Sequence, residues 1–256
     1  MITFDQAVDA GCRYFTRHAT VDLAEVASAL AVSRATLYRV VSSRDTLLAE
    51  ALRRLLQRTV EQATARRTSD GIDGVLEVVG GFTRQLLASR PLRRFVAAEP
   101  QTATRLLTSP DGVVSRLAVD AAVRLFEDAG LVARRGGTVP AARRRARKSA
   151  SDGAAAPLLV AEPDRVAFLL VRIVASLCFA EVAGTVPDPD LAEQTIRAML
   201  VRACTPGSAP AAQRARTSRL MDVAMCLVWT SLPDLFADAP ALVNLTRRVA
   251  LGLAGV

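Results

Sequence analysis

Between Ser33 and Leu48 the chain reads SRATLYRVVSSRDTLL, a stretch with three arginines and one acid. Ser33 can cap a helix, and the free N–H groups that follow a cap suit an anion such as a phosphate. Arg34 is long enough for a bidentate contact to guanine, and Thr36 can hydrogen-bond a base edge or touch a thymine methyl. Tyr38 and Arg39 lie a turn later, where phosphates flank a groove. Arg44, at the next helix start, can reach the backbone as well. The candidate nucleic-acid contacts are therefore Ser33, Arg34, Ala35, Thr36, Tyr38, Arg39 and Arg44.

Such side chains need a short helix presented by its neighbours. Phe4, Val8, Cys12 and Phe15 recur at helical spacing over residues 3–17. Asp22 then starts a second helix, with Glu25 at the capping-box position and Val21 as staple. It buries Leu23, Val26, Ala27 and Leu30. Ser33 opens the next helix, held on the core by Val32, Leu37 and Val41. Ser42-Ser43 breaks it, and a long helix runs from Arg44-Asp45 to about Ala65. Two short capped helices joined by a tight turn follow the plan of a helix-turn-helix unit.

The segment Asp22–Leu48 resembles the DNA-binding region of TetR-family regulators. Val26-Ala27, Val32-Ser33, Thr36-Leu37-Tyr38, Arg44 and Leu47 stand in the family's register. Three positions depart from it: Ala31 replaces the usual turn glycine, Val41 the usual Phe, and Arg44 the usual Lys. Alanine fits a left-handed turn less easily than glycine. The wording of RATLYR…SRDTLL, of residues 95–112 and of residues 166–184 is similar to the QsdR-type subgroup, which is associated with γ-butyrolactone and acyl-homoserine-lactone catabolism. The resemblance implies an all-α fold with an N-terminal helix-turn-helix domain and a helical-bundle effector and dimerisation domain. It also implies a homodimer on double-stranded operator DNA with dyad symmetry, and a small-molecule effector held inside the bundle.

The rest of the chain is organised accordingly. The expected division is a DNA-binding domain over 1–65, a ligand-binding and dimerisation domain over 66–204, and additional C-terminal helices over 205–256. Helices are predicted at 72–89, 91–97, 99–108 and 112–133. The stretch 134–163 is Arg-, Ala-, Gly- and Pro-rich and is predicted to be a flexible insertion. Its basic run either attracts DNA non-specifically or is a solvated insertion far from it. Asp164 is expected to cap an apolar helix reaching about Ala183, and Pro187-Asp188-Pro189-Asp190 to open another. In the resembled family these two helices pair with their copies in the dimer. Phe82, Phe126, Phe168, Arg172, Ser176 and Phe179 are the candidate ligand contacts, Arg172 and Ser176 supplying polar groups for a lactone carbonyl. Arg172 pairing structurally with Glu181, Glu99 or another acid is the competing reading. The apolar stretches Leu220–Trp229 and 240–253 are expected to pack on the bundle or on a partner subunit.

Composition narrows the function classes. Of the net charge of +8, seven cations lie in Arg134, Arg135, Arg143, Arg144, Arg145, Arg147 and Lys148, so the basicity reports largely one loop. Asp5, Asp9, Arg13 and Arg17 argue against a secretory signal, and Arg172 and Glu181 interrupt the longest apolar run, so a cytoplasmic chain without a membrane span is expected. Cys12, Cys178, Cys204 and Cys226 lack metal-ligand spacing, and His18 is the single histidine. No metal, no cofactor and no catalytic grouping is expected. The function expected is a sequence-specific transcriptional regulator, a repressor released by its effector. The alternative is a ligand-sequestering or protein-interaction module with a degenerate helix-turn-helix, to which Ala31 and Val41 give the best support.

Overall fold

The computed structural model describes residues 2–132 and 158–205. Among them it is all-helical, with ten helices. These are α1 (Phe4–His18), α2 (Leu23–Ala29), α3 (Arg34–Val41), α4 (Arg44–Ala65), α5 (Gly71–Ala88), α6 (Arg90–Ala98), α7 (Pro100–Thr108), α8 (Val113–Asp128), α9 (Pro163–Cys178) and α10 (Pro189–Cys204). The basic run 134–148 and the two apolar C-terminal stretches lie outside the described residues.

The caps explain the boundaries of the first four helices. Thr3 and Gln6 form a reciprocal capping box at the start of α1. The Asp22 carboxylate accepts from the Ala24 and Glu25 amides. Ser33 and Ser43 each accept from the amide three residues on. Each such cap contributes about 1 kcal/mol. The tight turn between α2 and α3 passes through Ala31 at φ +53°, the left-handed conformation that glycine usually takes.

Two apolar clusters hold the helices together. The first joins Val8, Cys12 and Phe15 of α1, Val26 of α2, Leu37 and Val41 of α3 and Leu47, Leu48 and Leu52 of α4. It also takes in Leu92, Phe95, Val96 and Ala103 of α6 and α7, and Val114 of α8. Phe15 and Phe95 meet edge to face with ring centroids 5.6 Å apart. Sequence places α6 and α7 with the effector domain, yet their apolar faces complete the core of the N-terminal one. The second cluster is built from Val75 and Val79 of α5, Leu125 and Phe126 of α8, Val166 and Leu170 of α9, and Ile196 and Leu200 of α10.

Two boundaries differ from expectation. Glu162, rather than Asp164, occupies the cap position of α9, directly ahead of Pro163. The helix ends at Cys178 rather than near Ala183, because a turn follows in which the Thr185 amide bonds back to the Ala180 carbonyl and Gly184 takes φ +72°. The end of the predicted insertion is also held: Leu159 and Val160 donate backbone bonds to the Leu131 and Ala203 carbonyls. The expected flexible part before residue 158 lies outside the described residues.

Candidate nucleic-acid interface

On α3, Leu37 and Val41 are fully buried, and Val32 packs against the same core. That anchoring leaves Ser33, Arg34, Ala35, Tyr38 and Arg39 exposed, with Thr36 half-buried between them. The Ser33 hydroxyl is engaged at the helix end, 3.1 Å from the Thr36 amide and 2.8 Å from the Thr36 hydroxyl. The Arg34 guanidinium lies over the Tyr38 ring, 5.6 Å from its centroid. Sequence reasoning therefore places six of its seven candidates on one helix that presents them together.

The seventh differs. Arg44 is engaged within the chain. Its Nε donates to the Val21 carbonyl at 2.8 Å, and its Nη2 to the Thr20 hydroxyl and to Glu99 Oε1, both at 2.6 Å. Where a DNA-backbone contact was expected, the Arg44 cation already meets the Glu99 carboxylate at 2.6 Å, with a third of its side chain exposed. Burial opposes ionisation of Glu99, but the hydrogen bonds from Arg44 and Thr20 outweigh it and hold its carboxyl below the usual glutamate range.

One feature of the site escaped sequence reasoning. Ser33-Arg34-Ala35-Thr36-Leu37 repeats as Ser43-Arg44-Asp45-Thr46-Leu47, and the structure repeats with it. Ser43 caps α4 through the Thr46 amide at 3.0 Å and meets the Thr46 hydroxyl at 2.8 Å. The repeated pentapeptide was the available signal.

Behind the interface, α1 is clamped to α4. Arg54 donates to Asp5 Oδ1 at 2.5 Å and to Asp9 Oδ1 at 2.8 Å. The Arg54 hydrogen bond keeps the Asp9 carboxyl below its ordinary range, against the opposing effect of burial.

The six candidate ligand residues are scattered by comparison. Phe126 is fully buried in the second cluster and Phe82 packs against it, whereas Phe179 packs on the first. Ser176 is exposed and donates to the Ile173 carbonyl. Arg172 is buried, donates to the Thr108 carbonyl at 2.5 Å and stacks over Phe168 at 4.6 Å; burial pushes its pKa down to about 10. A cavity of about 150 Å³ opens elsewhere, between α5 and α10, lined by Leu76, Val79, Thr83, Arg84, Glu193 and Ile196.

The cysteines behave as small apolar groups. Cys12, Cys178 and Cys204 are free thiols, and burial raises all three, Cys178 to about 12. Among the described residues no group of His, Cys, Asp and Glu is arranged to hold a metal, and no helix is long and apolar enough to cross a membrane.

Residues 70–147 match the family model of the tetracyclin repressor-like C-terminal domain. That match covers less than a third of the chain, and beyond it the likeness is one of fold. Among solved structures, this chain is similar in fold to the TetR-family transcriptional repressor QsdR of R. erythropolis. The identity there is 22%, the TM-score is 0.61, and 77% of this chain and 94% of that one are covered. It is also similar to the TetR-family repressor AlkX of Dietzia sp. strain DQ12-45-1b, implicated in biodegradation of n-alkanes, at 19% identity and TM-score 0.53 over 80% of this chain and 98% of that one. No curated protein matches the chain in sequence.

Proposed function

We propose that this chain is a TetR-family repressor that binds operator DNA as a homodimer and is released by a small-molecule effector. The observation that carries the reading is the exposed row Arg34, Ala35, Tyr38 and Arg39 on a helix anchored by fully buried Leu37 and Val41. A solvated edge of a core helix would need no such combination of bidentate donor, methyl and aromatic hydroxyl. Inserted N-terminus first into the major groove, α3 brings Arg34 and Thr36 to base edges and Tyr38 and Arg39 to flanking phosphates.

One helix of this length reads few base pairs, so a second half-site about 34–36 Å away supplies the rest. α10 carries an exposed stripe of Leu191, Thr195, Ala198 and Val201 that suits a two-fold helix pairing. The unit proposed to read DNA spans 1–65, and 66–204 the effector and dimer unit, with α6 and α7 shared between their cores. The resemblance to QsdR-type regulators makes γ-butyrolactones and acyl-homoserine lactones the first effectors to test. Release needs only about 1–3 kcal/mol of differential affinity between the two conformations.

The test is fluorescence anisotropy on DNA from upstream of the chain's own gene, at two salt concentrations, with lactones and long-chain alkanes as effector arms. Sequence-specific dimer binding reversed by a lactone is the expected result. Release by an alkane alone would overturn the effector class and leave the regulator. Binding no tighter than to random DNA, unchanged in Ser33→Ala, would favour the interaction module.

A further inference from the structure

We propose that Arg44 and Glu99 form the joint that sets the position of the reading helices relative to α6 and α7, and that Arg44 is a positioning residue rather than a phosphate contact. The inference rests on the DNA-binding reading of α3, and it begins from the three acceptors of one guanidinium. Val21 O and Thr20 Oγ1 belong to the turn before α2, and Glu99 Oε1 to the corner between α6 and α7. Thr20 closes the triangle by donating to the same Glu99 oxygen at 2.7 Å. Asp22, the cap of α2, follows Val21 directly, so the start of the helix-turn-helix is tied to the first residue of α4 and to Glu99 at once.

The Glu99 corner is itself fixed. Its amide donates to the Phe95 carbonyl and its carbonyl accepts from the Ala103 amide, both at 2.8 Å, so it closes α6 and opens α7. A displacement of either helix must carry the carboxylate along. A second strut crosses the same gap one residue on, from Arg105 of α7 to Asp45 of α4 at 2.5 Å. Adjacent side chains of opposite charge on α4 thus each meet an opposite charge from the α6–α7 segment. That arrangement fixes direction as well as distance, because sliding by one residue would set like charges together.

Packing alone does not do this work. The Phe15–Phe95 contact and the surrounding apolar cluster hold α6 on the core without specifying its tilt, since apolar contact is non-directional. A planar fork that bonds three fixed acceptors is directional. Nε and Nη2 of Arg44 are committed to this joint, and its Nη1 lies 3.7 Å from Asp45.

The experiment compares wild type with Arg44→Lys, Arg44→Gln, Glu99→Gln and the Arg44→Gln/Glu99→Gln double variant. Operator affinity is measured across a salt series, and amide hydrogen exchange on the free proteins. The joint predicts that each single variant loses at least about fivefold in operator affinity, the low end of coupling between sites. The double variant should be no weaker than the worse single, and the slope of log K against log salt should stay at the wild-type value. Arg44→Lys should fail like Arg44→Gln, because a compact ammonium lacks the planar fork whose two nitrogens reach Val21 O on one side and Thr20 and Glu99 on the other. Exchange should rise across residues 20–41 in every variant. A phosphate role gives the opposite pattern: Arg44→Lys nearly neutral, the slope reduced by about 1 in Arg44→Gln, and Glu99→Gln binding more tightly. Either that pattern or unchanged exchange overturns the joint. If exchange rises as expected but wild type shows no operator preference, the DNA-binding reading fails and the joint stands.

Discussion

Arg34 and Tyr38 are stacked across one turn of α3, guanidinium over ring, at 5.6 Å from the ring centroid. Both side chains are exposed, so the contact contributes about 0.5–1 kcal/mol, enough to bias where Arg34 points without locking it. The ring therefore has two duties on the proposed interface: its hydroxyl for the phosphate and its face for Arg34. Tyr38→Ala removes both duties, so it should weaken binding to all sequences and partly flatten base preference, whereas Arg34→Ala should flatten the preference among single-base operator variants outright. Tyr38→Phe separates the duties. It should lose affinity uniformly while keeping the wild-type base preference, which competition anisotropy on a panel of operator variants would read. A flattened preference in Tyr38→Phe would assign base reading to the hydroxyl instead.

Ala31 sits at φ +53° with its side chain in solvent. A left-handed alanine is disfavoured by roughly 1–2 kcal/mol, and glycine removes that strain at the cost of a freer unfolded chain. Ala31→Gly should therefore raise stability by somewhat less than about 1 kcal/mol, with the turn unchanged. Chemical denaturation would show a higher midpoint at constant m-value. A lower midpoint would mean that the turn is not strained at alanine. The turn glycine usual in the family is thus dispensable here: the structure keeps the turn, which removes Ala31 as support for a degenerate helix-turn-helix.

Helix α3 was legible because its determinants are local. Caps, turn and buried positions lie within a few residues of each other, so Ser33, Leu37 and Val41 could be placed from spacing alone. The fate of Arg44 was not, although it occupies the same place in its pentapeptide as Arg34. Arg34 begins a helix that faces solvent, and Arg44 begins one that faces Thr20 and Glu99. The deciding partner is 55 residues away along the chain. The same distance problem hid the membership of α6 and α7 in the first core. Periodicity shows that Leu92, Phe95 and Val96 are buried, not what they are buried against. The ligand residues failed to converge for a related reason, since an apolar stripe does not say which part of it closes and which opens into a cavity.

Phe95 offers a direct check on that shared core. It is fully buried, and its ring meets Phe15 of α1. Phe95→Ala should cost about 3–5 kcal/mol, and the loss should fall on α1–α4 although the residue lies outside residues 1–65. Hydrogen exchange should show faster amides in α1 and α3 than in α5 and α10. A loss confined to the second cluster would mean that α6 belongs energetically to the effector bundle, and that the core shared across the domain boundary is not a functional link.

The clamp between Arg54 and Asp9 makes stability depend on pH in a defined direction. The Asp9 carboxyl is held below its ordinary range chiefly by the Arg54 hydrogen bond, so the folded chain binds that proton less readily than the unfolded chain does. A group of this kind adds stability above its unfolded pKa, near 4, and loses it as pH falls through the lower folded value. Asp9 is partly solvated, so screening limits the contribution to about 1 kcal/mol or less. Glu99 acts in the same sense, its carboxyl held low by Arg44 and Thr20 against burial. Arg54→Gln should therefore be less stable than wild type at pH 7, and the gap should narrow as the pH is lowered through about 4 toward 2. Glu99→Gln should show its own gap closing over the same window, and the two effects should add, because the clamps share no partner. Urea titrations at a series of pH values would measure both. A gap that persisted undiminished at pH 2 would show that Arg54 acts through the packing of its alkyl chain rather than through the charge on Asp9.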